Sequence, residues 1–243
     1  MRRIKLTLEY DGTDFSGWQV QPDERTVQGV LQESLSSMMG SEIKVIGSGR
    51  TDAGVHALRQ VAHAEVTRDI PAVNVMMGLN SSLDRDVRVL HCEDTSESFH
   101  AQRSATGKTY RYIILNVSQP TALDRYRVWH IREPLDLKAM VEGAAHLVGE
   151  HDFAAFKSAG DETTTIRNLR ELDIKREGDH IVLTFEANGF LKHMVRNLTG
   201  ALVEVGQGKL ASEDMRRLLD ARSRENAPKK APPQGLTLVQ VTY

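Results

Sequence analysis

The hydrophobic period of this chain switches repeatedly between two and about 3.6 residues, and that switching constrains its fold more than any other feature. Residues Ile4 to Tyr10 alternate strictly, with Ile4, Leu6, Leu8 and Tyr10 on one face and Lys5, Thr7 and Glu9 on the other. This predicts a half-buried strand. Val27, Val30, Leu31, Leu35, Met38 and Met39 then fall at helical spacing, with Thr26 as N-cap and Gly40 as the stop. Strands follow at Ile43 to Ile46 and Val61 to Val66, then a helix over Ala72 to Leu79 started by Pro71, and a strand at Val87 to Leu90. A polar hinge, Glu93 to Glu97, precedes a basic stretch that ends as an alternating strand at Asn116. Trp18 and the Met38-Met39 pair read as core.

Past a connector at Pro120 to Arg132 the same kind of pattern returns. A helix is expected over Leu137 to Val148, strands at Leu169 to Lys175 and Ile181 to Ala187 around a Glu177-Gly178-Asp179 turn, and a helix over His193 to Val205. A short helix capped by Ser212, a Pro-rich loop at Ala227 to Pro233 and a last strand, Leu236 to Tyr243, complete the chain. Each half has a βαββαβ-like order, so the expected class is α+β. Two related ferredoxin- or RRM-like units, 1–118 and 119–243, would carry mainly antiparallel sheets and form a central cleft. The halves show no residue-level repeat.

With 243 residues, one cysteine (Cys92) and a net charge of -2, the chain excludes an internal disulfide and does not advertise nucleic-acid binding by bulk charge. Any phosphate attraction must come from local clusters of Lys and Arg. Charged residues interrupt the first residues, and no apolar stretch approaches the roughly 20 residues of a membrane span. A cytoplasmic protein without membrane contact is expected.

Between the strands at Ile43 and Val61 lies Gly47-Ser48-Gly49-Arg50-Thr51-Asp52-Ala53-Gly54-Val55-His56-Ala57. Three glycines allow a tight loop that approaches a ligand closely, and at its middle sit a carboxylate and a guanidinium. It is not a Walker loop, because Val55-His56 stand where Lys and a hydroxyl are needed, nor a dinucleotide loop, because Asp52 falls on the third glycine. Taken alone, Asp52 reads as a turn aspartate bonded to nearby backbone N–H groups.

The same run resembles the active-site segment of the tRNA pseudouridine synthase A family, whose members carry a nucleophilic aspartate in G-R-T-D-A-G-V-H. Further segments resemble that family in the same order: Tyr10-Asp11-Gly12 with Gly17-Trp18-Gln19, Thr26-Val27-Gln28, and Phe99-His100-Ala101 through Tyr110-Arg111-Tyr112. Phe190 to Asn197, Gly200 with Val203 to Gly206, and Ala231 to Leu236 continue the series. The likeness spans the chain from near residue 4 to its end.

The resemblance implies isomerisation of uridine to pseudouridine at positions 38, 39 and 40 of the tRNA anticodon stem-loop. The N1–C1′ bond breaks, the uracil turns, and C5 joins C1′, with no cofactor and no metal. By the same resemblance Asp52 is catalytic, as nucleophile or base, and Arg196 pairs with the catalytic carboxylate. Tyr110 stacks on the target uracil, with Tyr112 as its rival, Leu191 packs on the other side, and Arg50 fills the space of the flipped base or grips the adjacent phosphate. Arg103, Lys108, Arg111, Lys192 and Arg196 would line the cleft, and a homodimer would provide surface for tRNA. His56 and His63 read as structural histidines, not metal ligands.

Two other functions remain open on the residues. A catalytically silent tRNA-binding or folding module would need the basic residues but not Asp52. A nucleoside or glycoside hydrolase would need a second cooperating carboxylate, and the central loop offers one. Two departures from the family pattern, Gln102-Arg103 and Asp84 after Leu83, touch substrate contacts before chemistry.

Overall fold

A computed structural model describes residues 2–158, 164–223 and 228–243. In chain order its elements are β1 (Arg2–Tyr10), α1 (Val27–Met39), β2 (Val45–Gly47), β3 (His56–Val66), α2 (Ala72–Ser82), β4 (Val87–Asp94) and β5 (Gly107–Leu115). They continue with β6 (Trp129–His130), α3 (Leu137–Ala145), β7 (Gly149–Asp152), β8 (Ile166–Glu177), β9 (His180–Ala187), α4 (Met194–Gly206), α5 (Asp214–Ala221) and β10 (Leu236–Thr242). The chain is α+β; β1 with β3 and β4, β2 with β3, β5 with β9, β7 with β8 and β8 with β9 pair antiparallel, while β3 with β10 and β5 with β6 pair parallel.

Two compact units divide the chain at Thr106 and Gly107, and the final strand returns to the first unit from Thr237 onward. The sequence-based division at 118/119 groups β5 with the first half and β10 with the second. Pairing partners decide otherwise: β5 is zipped to β9 from Lys108 to Leu115, and β10 lies beside the start of β3. Such long-range pairing leaves no mark on the local pattern of either strand.

In the first unit β1 lies between β3 and β4, and its inward residues Ile4, Leu6 and Leu8 are fully buried. The other edge of β3 is shared. Its C-terminal part takes β2 (Val45 opposite Ala64) and its N-terminal part takes β10 (Thr237 opposite His56). The chain between Gly47 and His56 is thus a loop held at the notch between two strands. Thr26 caps α1 through the Gly29 N–H, and Gly40 ends it at φ 68°, as its sequence predicts. Met38 seats its methyl against Gly78 of α2, so the Met pair fills helix packing. The polar segment from Glu93 extends β4 instead of breaking it, because Glu93 pairs with Lys5 on β1 at 3.0 Å.

In the second unit the sheet order is β5-β9-β8-β7, with β6 on the outer edge of β5. The Gly178 turn joins β8 and β9 as expected, with φ 60°. Helix α4 is buried along its whole length except Glu204. Gly206 admits Met140 of α3, and Gly200 lies so close to the Lys229 carbonyl that a Cβ would stand 2.0 Å from it. Two local expectations fail. Helix α3 stops at Ala145, and Gly149 at φ 113° turns the chain into β7. Ser212 does not cap α5; its hydroxyl bonds Glu213, while the Asp214 carboxylate receives the Ala211 N–H. Of the Pro-rich loop, Ala227 lies outside the described residues.

Candidate active site

The loop carrying Asp52 is shaped by what it cannot exclude. A Cβ on Gly12 would stand 2.1 Å from the Val55 carbonyl oxygen, and one on Gly17, which adopts φ 93°, would stand 2.7 Å from the Thr51 oxygen. Only glycine permits the loop to lie directly on these two turns. Backbone bonds then fasten it: Trp18 N–H donates to the Thr51 carbonyl at 3.0 Å, Val55 N–H to the Asp52 carbonyl at 3.1 Å, and Ser48 N–H to the Val61 carbonyl at 2.7 Å.

A buried polar chain completes the fastening. Ser48 Oγ donates to Gln60 Oε1 at 2.6 Å, and the Gln60 amide donates to the Gly49 carbonyl at 3.1 Å and to Tyr10 Oη at 3.4 Å. Tyr10 Oη also shares a hydrogen bond with Thr51 Oγ1, 2.8 Å away. Burial pushes the Tyr10 hydroxyl up to about 12, so it remains a donor through the neutral range. Thr51 is thereby fixed on one side of Asp52. Asp52 itself is half-buried, between buried Thr51 and exposed Ala53, on a loop whose Val55 is also buried. Arg50, on the same loop, is exposed.

Tyr10→Phe removes the hydroxyl that bonds both Thr51 and Gln60 at a buried site. The expected loss is about 1–3 kcal/mol in urea-unfolding free energy.

The two histidines act locally. His56 Nδ1 lies 3.0 Å from the Gly12 N–H and 3.2 Å from the Asp11 carboxylate, tying β3 to the turn after β1. His63 Nδ1 accepts the Ala101 N–H at 3.1 Å and so docks the Phe99–Ser104 turn. No group of metal-binding residues occurs among the described residues. Burial, reinforced by His100 and Arg3, lowers the His63 pKa to about 4 from 6.5. Between those values the unfolded chain binds a proton that the folded one refuses, so stability falls as pH drops from about 6.5 to 4. Urea midpoints of the wild type and His63→Asn across that range test this: the wild type should lose more stability than the variant.

In the second unit Tyr110, on β5 opposite Phe185, is buried and meets Phe190 edge-on at 5.1 Å between ring centres. Phe190 belongs to the β9–α4 loop, which also carries buried Leu191, whose carbonyl accepts the Met194 N–H at 3.0 Å. Tyr112 is committed elsewhere: it is fully buried, burial drives its pKa up, and its hydroxyl donates to the Pro232 carbonyl at 2.8 Å. Arg196 is not a helix-surface arginine. It is 7% exposed, and its Nε donates to the Ala231 carbonyl at 2.9 Å.

The family model described as tRNA pseudouridine synthase matches residues 7–104 and 144–243, leaving 105–143 between them. The chain belongs to the tRNA pseudouridine synthase family. It is 46% identical over 245 residues to a tRNA pseudouridine synthase A from Citrifermentans bemidjiense, covering 100% of this chain and 98% of that one. It is 43% identical to one from Thermoanaerobacter sp. (strain X514), and 41% identical to a tRNA pseudouridine synthase A 2 from Clostridium perfringens, each over 100% of both chains. Membership makes the chain an isomerase.

For a pseudouridine synthase, the residues that sequence reasoning missed are those that hold the assigned ones. Gln60 bonds three parts of the loop's seat, and its one visible signal is a polar side chain at the entry to the apolar run of β3. Phe190 packs on Tyr110 and gave no signal beyond its place before Leu191. Lys108, two residues before Tyr110, has its pKa lowered to about 8 by burial and by Arg167. Asp84, a departure from the family pattern, holds Arg25 at 3.0 Å beside Asp86 at 2.7 Å, so its role is structural. Among the described residues no helix is long and apolar enough to cross a membrane.

Proposed function

We propose that this pseudouridine synthase converts uridine to pseudouridine at positions 38, 39 and 40 of the tRNA anticodon stem-loop, with Asp52 as the catalytic carboxylate. The observation that carries this reading is the seat of Asp52: a half-buried carboxylate on a loop pinned by Gly12, Gly17 and the Tyr10–Thr51–Gln60 chain. Pinning of this kind is what a group needs when it must stay aligned on C1′ or on the base while uracil detaches and turns.

Tyr110 is the platform for the uracil, with Leu191 as its apolar companion. Stacking on a tyrosine is worth roughly 1–3 kcal/mol per base and tolerates rotation of the base in its plane, which the reaction requires. Arg196 supplies positive charge to the reaction, and Arg50, exposed beside Asp52, takes the phosphate or the vacated space next to the flipped nucleotide. The enzyme works without cofactor, as a cytoplasmic homodimer.

The test is tritium release from unmodified tRNA transcripts carrying [5-³H]uridine, followed by mapping of pseudouridine in the product. Release with modification confined to positions 38–40 supports the proposal. Modification elsewhere overturns the site assignment, and tight tRNA binding without release by a folded enzyme points to a non-catalytic module. Sedimentation of the free enzyme decides the dimer.

A further inference from the structure

The connector between β5 and α3 exposes a large apolar side chain and an aromatic ring on one turn. Leu123 is 93% exposed and Tyr126 50% exposed, three residues apart on one turn. An isolated exposed leucine is ordinary, but here it stands beside an exposed aromatic and a cluster of arginines. From Thr121 to Arg132 there are three arginines, Arg125, Arg127 and Arg132, all exposed, and one carboxylate, Asp124.

The turn is built before any partner arrives. Asp124 N–H donates to Thr121 Oγ1 at 3.3 Å and Arg127 N–H to the Asp124 carbonyl at 2.8 Å. The Arg125 guanidinium donates to the Ala122 carbonyl at 2.6 Å and lies over the Tyr126 ring, 4.4 Å from its centre. Below the turn, Val128 and Ile131 are buried and Trp129 and His130 pair with Ile114 and Leu115 of β5. His130 Nε2 meets the Val117 carbonyl at 2.8 Å, fastening the exit of the loop to its entry. The ring is thus held out with one face covered by a guanidinium and with little left to order on binding.

We propose that the Leu123–Arg127 turn is a second tRNA contact, in which an unstacked nucleotide lies on the Arg125–Tyr126 pair, with Leu123 against its sugar or base edge and the arginines on neighbouring phosphates. Aromatic rings paired with arginine suit nucleotides of any sequence, since every base offers a π-face and every linkage an anion. The turn itself carries two arginines, Arg125 and Arg127, against one carboxylate, Asp124, a balance that favours a polyanion over an apolar protein partner. The turn lies within residues 105–143, between the two segments matched by the family model.

This inference rests on the reading that the chain acts on tRNA, and its test separates the two. Full-length enzyme and the variants Tyr126→Ala, Tyr126→Phe, Leu123→Ser and Arg125→Ala are compared for tRNA dissociation constant by filter binding, for KM and kcat by tritium release, and for mass in solution. Tyr126→Ala should raise the dissociation constant and KM about tenfold, as expected for loss of one stacked base, with kcat within about twofold. Tyr126→Phe should bind as the wild type does, and Arg125→Ala should flatten the salt dependence of binding. Unchanged dissociation constants in Tyr126→Ala and Arg125→Ala overturn the proposal, as does a change of oligomeric state in either, which would make the turn a subunit contact. Failure of the wild type to release tritium would overturn the catalytic reading while leaving the binding comparison decisive for the turn.

Discussion

Asp52→Asn is expected to abolish tritium release, lowering kcat by about 10⁴-fold or more while tRNA binding changes by less than about threefold. The substitution keeps shape and removes charge. The loop should keep its conformation, since the bonds that pin it use the Thr51 and Asp52 carbonyls, the Ser48 and Tyr10 hydroxyls and the Gln60 amide. The thermal midpoint should accordingly stay within about 3 °C of the wild type. Activity retained within about tenfold would remove Asp52 from the chemistry and send the search to another carboxylate. Loss of tRNA binding in parallel with kcat would instead make Asp52 a substrate-binding group.

Gly12→Ala should damage the same site without touching it chemically. The new methyl would need to occupy space 2.1 Å from the Val55 oxygen and 2.6 Å from the Val55 carbonyl carbon, both backbone atoms of the loop that carries Asp52. No rotamer relieves that clash, so the loop must move away from the turn. Overpacking of this kind costs about 1–3 kcal/mol, and a displacement near 1 Å at the reacting group costs about 10²-fold in rate. Gly178→Ala is the control. Gly178 has φ 60° but nothing within 4 Å of the added carbon, so it should lose only about 1–2 kcal/mol and keep wild-type kcat. Urea unfolding and steady-state kinetics on the two variants separate steric displacement of the loop from general destabilisation. Equal kcat in both would sink the argument that Gly12 positions Asp52.

These two predictions draw on different levels of information. Asp52 stands out in the sequence because a carboxylate and a guanidinium share a short glycine-bearing loop between two strands, and because the loop resembles a family segment. The role of Gly12 does not. Tyr10-Asp11-Gly12 resembles a family segment as well, but the glycine's pressure on Val55, more than 40 positions away, exists only once β1 and β3 are paired with Tyr10 opposite Ala57. Gln60 is similar: a glutamine at a strand entry says nothing until folding brings Ser48, Gly49 and Tyr10 to its two amide ends.

The sequence by itself determined the elements and their type, because periods of two and 3.6, the Thr26 cap and the glycine stops act over a few residues and need no partner. The roles proposed for Asp52, Tyr110 and Arg196 came from the family resemblance, since Asp52 taken alone reads as a turn aspartate. Tertiary structure alone decided which strands share a unit, moving β5 to β9 and β10 to β3, since edge-to-edge hydrogen bonding is blind to sequence distance. It decided too which tyrosine is structural, by giving Tyr112 the Pro232 carbonyl, and it buried Arg196 against Ala231 where helical spacing alone allowed a surface residue. Those outcomes depend on which distant backbone carbonyl arrives beside a given side chain, and only the packed chain fixes that.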